Sequence, residues 1–128
     1  MPYDNPHELP FTDIDILVDA QGRIASDSTW AKYTFKDGDR LCLVAALSLA
    51  SGSRCFNAPN ETEQRLARVL AHQLPPDAPI LARLWFIRSR QRLMWFNDSR
   101  RTSHADVLAV FDRAIEHLAI KVPSYASA

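Results

Sequence analysis

The apolar positions in the last third of the chain repeat with the period of an α-helix. Val107, Phe111, Ala114 and Leu118 fall on one face, flanked by Leu108, Ile115 and Val122. Ser103 with Asp106 marks the start of this helix, and Pro123 closes it. A second stripe runs through Leu66, Val69, Leu70 and Leu74, with Arg65, Arg68 and Gln73 on the polar side. Asn60 with Glu63 gives it a capping start, Pro59 precedes it and Pro75-Pro76 end it. From Arg40 to Ser51 the pattern changes. Leu41, Leu43, Val44, Ala45, Ala46, Leu47 and Leu49 leave almost no polar face, which predicts a central helix buried on several sides. Asp39 is read as its cap and Gly52 as its end.

Two stretches are less decided. Ile14, Leu17, Val18 and Ala25 lie at helical spacing and predict a helix over 13–25, with Thr12 as N-cap and Asp15 three residues on. Gly22 weakens it, because Asp19 to Arg23 also reads as the turn of a hairpin between residues 16–18 and Ile24. Ile80 to Phe96 is ambiguous by period alone. The preferred reading is a helix to about Arg90 and an extended segment to Phe96; a hairpin around 88–92 stays open. Between these parts, residues 26–39 read as a loop pinned by Trp30, Tyr33 and Phe35, with a turn at Asp37-Gly38-Asp39.

These elements predict a mostly α fold. It is a single compact domain of four to five helices, with a short two-stranded β element as an option. Pro2, Pro6 and Pro10 set off residues 1–10 as an extended arm, residues 11–122 form the globular domain, and 123–128 are a tail. At 128 residues and 47% apolar content, there is enough chain for a core and too much apolar content for wholesale disorder. The first residues have neither the basic nor the apolar region of a secretory signal. No apolar run approaches the ~18 residues of a membrane span. Cys42 and Cys55 are too few for a disulfide scaffold, so the chain reads as cytoplasmic, with two reduced thiols and no membrane partner.

The formal net charge is zero, which argues against coating nucleic acid or membrane by bulk charge. That zero is a cancellation. Residues 1–39 carry a net −5, and residues 83–101 a net +5.

Taken in order, Trp30, Cys42 opening an apolar helix, Ala46-Leu47, Phe96-Asn97-Asp98, Thr102, Val107-Leu108 and Ala114-Ile115 resemble a small family of uncharacterised domains of bacteria and their phages. The likeness covers the chain from Trp30 to Ile115. It departs from the family pattern at Ala45, where the family usually has Gly, and in a longer arginine-rich stretch before Asn97. The resemblance implies a compact, mostly helical fold and implies no activity.

Chemistry is sparse. Cys42, placed in the first turn of a buried helix, would have its thiolate favoured by unpaired N–H groups. With His104 as base and Asn97 or Asp98 as orienter it is the candidate nucleophile of a cysteine-dependent hydrolase or transferase. The competing reading makes Cys42 a small buried apolar residue, and Asn97 and Asp98 donors and acceptors for the loop before the last helix. His7, His72, His104 and His117 show no metal-ligand pairing, and Gly22, Gly38 and Gly52 are isolated, so neither a metal nor a phosphate loop is expected. No other cofactor is expected.

The second candidate is the arginine segment. Arg83, Arg88, Arg90, Arg92, Arg100 and Arg101 are interleaved with Trp85, Phe86, Trp95 and Phe96. Arginine with aromatics suits protein hot spots and also phosphate and base binding. The preferred function is a small accessory or regulatory domain acting through a protein interface, with a homodimer as one form. Trp85, Arg88, Arg90, Arg92 and Trp95 are its expected contacts. Nucleic-acid binding through residues 83–101 is the alternative.

Overall fold

The computed structural model describes residues 8–121, with side chains from 13 to 120. Five α-helices are present among them: α1 (Glu8–Arg23), α2 (Leu43–Ser51), α3 (Glu61–Ala71), α4 (Ser89–Asp98) and α5 (His104–Lys121). A two-residue hairpin pairs β1 (Lys36–Asp37) with β2 (Arg40–Leu41) in antiparallel register, Lys36 opposite Leu41. The mostly helical, single compact domain with one short two-stranded element is therefore the observed fold.

The apolar α2 is the centre. Leu43 to Ser48 are all buried, and α1, α3 and α4 pack around it. α5 lies against α1 and α3. Leu17, Ala20 and Ile24 of the α1 region, Leu66 and Leu70 of α3, Leu93 and Phe96 of α4, and Val107, Phe111 and Ala114 of α5 complete one continuous core. Polar links fix the helix pairs: Gln21 Nε2 donates to the Leu108 carbonyl at 3.1 Å, and Arg113 Nη2 to the Gln73 carbonyl at 2.8 Å.

Several local rules hold as read. Asn60 Oδ1 accepts the Glu63 N–H at 2.8 Å, capping α3. Ser103 and Asp106 cap α5 reciprocally, each side chain accepting the other's backbone N–H. Gly52 ends α2 at φ +79°, a left-handed conformation that favours glycine.

Other expectations change. α1 begins at Glu8, so Thr12 lies inside the helix and is not its N-cap, and residues 8–10, read as arm, are helical. Pro10 falls in the first turn, where a missing N–H breaks no helical bond. Gly22 sits in the last turn of α1, and the hairpin alternative there is excluded. Asp39 caps nothing: Gly38, at φ +61°, turns the chain into the β1–β2 hairpin, Arg40-Leu41 are strand, and α2 starts later with Cys42 as its cap. Of the aromatic anchors, Trp30 and Phe35 pack on the core, whereas the Tyr33 side chain is exposed.

The largest correction concerns Ile80 to Phe96. The helix lies in the second half: a 3-10 turn spans Ile80–Arg83, an irregular stretch follows, and α4 runs from Ser89 to Asp98. Arg92 Nε donates to the Ala82 carbonyl and Arg83 Nε to the Ala78 carbonyl, both at 2.7 Å. Those bonds hold the first half as a folded-back turn. The arm residues 1–7, Val122, Pro123 and the tail lie outside the described residues.

Candidate functional site

Asn97, in the last turn of α4, is fully buried and fully engaged. Its Oδ1 accepts Trp30 Nε1 at 2.7 Å and the Leu43 N–H at 3.2 Å. Its Nδ2 donates to the Ala31 carbonyl and to Asp98 Oδ1, both at 3.0 Å. That uses both donors and both acceptor positions of the amide. Asp98 Oδ1 in turn accepts the Tyr33 N–H at 2.8 Å, holding a non-glycine residue at φ +67°. Lys32 Nζ reaches the Ser99 carbonyl and lies 5.3 Å from the Trp30 ring centroid. Asn97 and Asp98 thus tie the loop 30–33 and the start of α2 to the end of α4.

Cys42 and His104 are not assembled as a nucleophile and base. The Cys42 thiol accepts the Ala45 N–H at 3.3 Å as the cap of α2. Burial pushes its pKa above the ordinary thiol value of 9.0, outweighing the lowering by backbone N–H groups. The expected activation of this thiol is therefore reversed. His104 stacks on Trp30 with ring centroids 5.3 Å apart. Its Nε2 donates to the Ile24 carbonyl at 2.6 Å, and its Nδ1 lies 3.1 Å from Asp27 Oδ1. Both ring nitrogens therefore face acceptors on the α1 side, away from any bond to the thiol.

The arginine segment divides into inward and outward members. Arg90 Nε donates to Glu63 Oε2 at 2.9 Å, and its guanidinium lies 5.4 Å from the Phe35 ring centroid. Glu63 is fully buried and also accepts Ser53 Oγ at 2.7 Å. Arg92 and Arg83 spend an N–H on carbonyls of the turn. Trp95 packs against the core. Arg88, Arg100, Arg101 and Trp85 face outward. Trp85 is 84% exposed, with Phe86 edge-on to it at 5.8 Å between centroids. Ile80, Leu81 and Phe86 are also exposed, so the pinned turn displays four large apolar side chains.

Behind this turn, α3 and the start of α4 enclose an open cleft of about 760 Å³. Arg68, Arg88 and Arg90 line it together with Gln64, Gln91 and Phe86.

Residues 9–117 match the family model described as a family of unknown function, DUF6197. The chain belongs to that family. The matched span of this DUF6197 chain takes in α1 through most of α5, and with them the Asn97 hub, the Glu63–Arg90 pair and the exposed turn. No curated protein and no solved structure matches the chain.

Among the described residues no group of three His, Cys, Asp or Glu side chains is placed to hold a metal, and no helix is long and apolar enough to cross a membrane. Sequence reasoning missed Glu63 as a buried charge, since its cap position alone made it look solvated. It also placed Ile80 and Leu81 in an α-helix, where the structure has a 3-10 turn.

Proposed function

We propose that this DUF6197 chain is a non-enzymatic interaction domain that works as a homodimer, joined through the turn Ile80–Phe86. The observation that carries this reading is Trp85, 84% exposed beside three other exposed large apolar residues on a turn fixed by its own hydrogen bonds. Such a patch on a rigid support loses little freedom on burial, and tryptophan dominates the energetics of interfaces.

A second copy is the occupant favoured by the charge order along the turn. Exposed Asp77 precedes the apolar residues, exposed Arg83 stands among them, and exposed Arg88 follows them. A two-fold axis through the patch sets one copy's acid against the other's arginines, so the surface is self-complementary. Within the chain, the ion pairs among described residues join Arg23 to Asp19, Arg65 to Asp13, Arg90 to Glu63 and His104 to Asp27, leaving Arg83 and Arg88 out. Among the described residues, none of these pairs sets an acid of the first third against Arg83, Arg88, Arg100 or Arg101. Cys42 and Cys55 are both free thiols, which supports a reducing, cytoplasmic setting. An accessory or regulatory role in a bacterial cell accords with a small domain whose outward features are a contact surface.

Sedimentation equilibrium over a wide concentration range tests the reading. A dimer that Trp85→Ala converts to monomer, with thermal stability unchanged, is the expected result. A monomer at every concentration, or a dimer indifferent to Trp85→Ala, overturns it.

A further inference from the structure

We infer that the cleft between α3 and the start of α4 is a binding site for a mononucleotide, with its phosphate on the arginines and its base against Phe86. This goes beyond the dimer; Phe86 and Arg88 border both surfaces, so the site is read on the Trp85→Ala protein, whose Trp85 lies outside the cleft, as well as on the unaltered chain.

The cleft's volume of about 760 Å³ falls within the range of small-molecule sites, about 300–1,000 Å³. Three arginines, Arg68 from α3 and Arg88 and Arg90 from the start of α4, line it, and no acidic side chain does. Arg90 has Glu63 as its counter-charge, whereas Arg68 and Arg88 enter no ion pair among the described residues, and a bound anion supplies the charge they lack. Guanidinium groups hold phosphate through paired N–H donors, a geometry an ammonium lacks. Arg90 is already held in place by Glu63 and by the Phe35 ring, so little ordering remains for it on binding.

The N-terminus of α4 adds to this. Its N-cap is Arg88, which makes no side-chain capping bond. The first intrahelical bond is from the Arg92 N–H to the Arg88 carbonyl at 3.0 Å. The N–H groups of Ser89, Arg90 and Gln91 precede it, and those three residues line the cleft. Cys42, Asn60 and the Ser103–Asp106 pair cap α2, α3 and α5. Uncapped amides beside arginines favour an anion over any neutral ligand.

The remaining wall selects the rest of the ligand. Phe86 is 65% exposed and borders the cleft, offering a ring for stacking. The amides of Asn57, Gln64 and Gln91 offer both donors and acceptors, as the edge of a base requires. A bare phosphate would use the arginines and leave this wall untouched.

Isothermal titration with AMP, GMP, CMP and UMP, and separately with inorganic phosphate and adenosine, tests the site. At least one mononucleotide is expected to bind about tenfold or more tighter than either fragment. Arg68→Ala is expected to weaken that binding by about tenfold, and Phe86→Ala to erase the advantage over inorganic phosphate. Arg68 stands on α3, off the turn Ile80–Phe86, so Arg68→Ala leaves the oligomeric state unchanged and separates this outcome from that of the dimer. No binding by any mononucleotide, equal affinity for phosphate and mononucleotides, or indifference to Arg68→Ala overturns the inference.

Discussion

The carboxylate of Glu63, with no exposed surface of its own, holds the guanidinium of Arg90 at 2.9 Å and so bolts α3 to α4. Removing one partner of a buried pair strands the other's charge. Glu63→Ala is therefore expected to destabilise the fold by about 3 kcal/mol, the lower end for such pairs because Arg90 keeps some contact with water. Glu63→Gln should cost less, since it still accepts from Ser53. Urea denaturation of the three proteins checks the order.

Asn97→Ala removes four hydrogen bonds at once and leaves the Leu43 N–H and Trp30 Nε1 without their acceptor. A loss of about 2–4 kcal/mol is expected from the unpaired buried groups. Asn97→Asp keeps the acceptor but gives up both donors and sets a second carboxylate beside Asp98, so it should not rescue. The same denaturation measurement, followed by tryptophan fluorescence, reads both variants.

Cys42 makes a prediction in the alkaline range. Its folded pKa is raised, so the stability it contributes is whole below the ordinary thiol value of 9.0 and is lost as pH rises beyond it, at most about 1.4 kcal/mol per pH unit. Cys42→Ser, which puts a capping oxygen in place of the sulfur, should flatten that decline, while Cys42→Ala should cost about 1 kcal/mol at neutral pH. Thiol labelling of the native protein should modify exposed Cys55 and leave Cys42 until unfolding.

Asp77→Arg tests the charge order of the dimer. It sets like charges against Arg83 and Arg88 across the two-fold axis and should weaken dimerisation by about fivefold, with added salt restoring most of the loss. Sedimentation at low and high salt measures it. An unchanged dimer would mean that Asp77 does not face the arginines.

What the sequence revealed and what it hid follow from distance along the chain. Asn60, Ser103–Asp106 and Gly52 act on amides or carbonyls a few residues away, so their roles could be read from spacing. The central position of α2 followed from its lack of a polar face. The Glu63–Arg90 pair spans 27 residues and the Asn97 bonds to Leu43 and Trp30 span 54 and 67, so no local pattern announces them. Cys42 was misplaced because Asp39 is the better cap by residue type, while the hairpin at Gly38 moved the helix start three residues on. In Ile80 to Phe96, two apolar runs of similar composition meet different fates. Trp95-Phe96 joins the core and Trp85-Phe86 does not, because carbonyl contacts from Arg83 and Arg92 decide which run folds back.

Asn97 also sets an order of events. The stretch from Trp30 to Leu41 has two short strands and one bridge of its own, and its polar anchors are the side chains at the end of α4, with His104 of α5 stacked on Trp30 and Arg90 of α4 on Phe35. It is therefore expected to gain its shape after α4 and α5 have docked. Refolding should pass through a stage in which helices are paired while this stretch still exchanges its amide hydrogens freely. Pulse-labelled hydrogen exchange should find the Ala31 and Cys42 amides among the last to be protected, and in the native protein among the first to open.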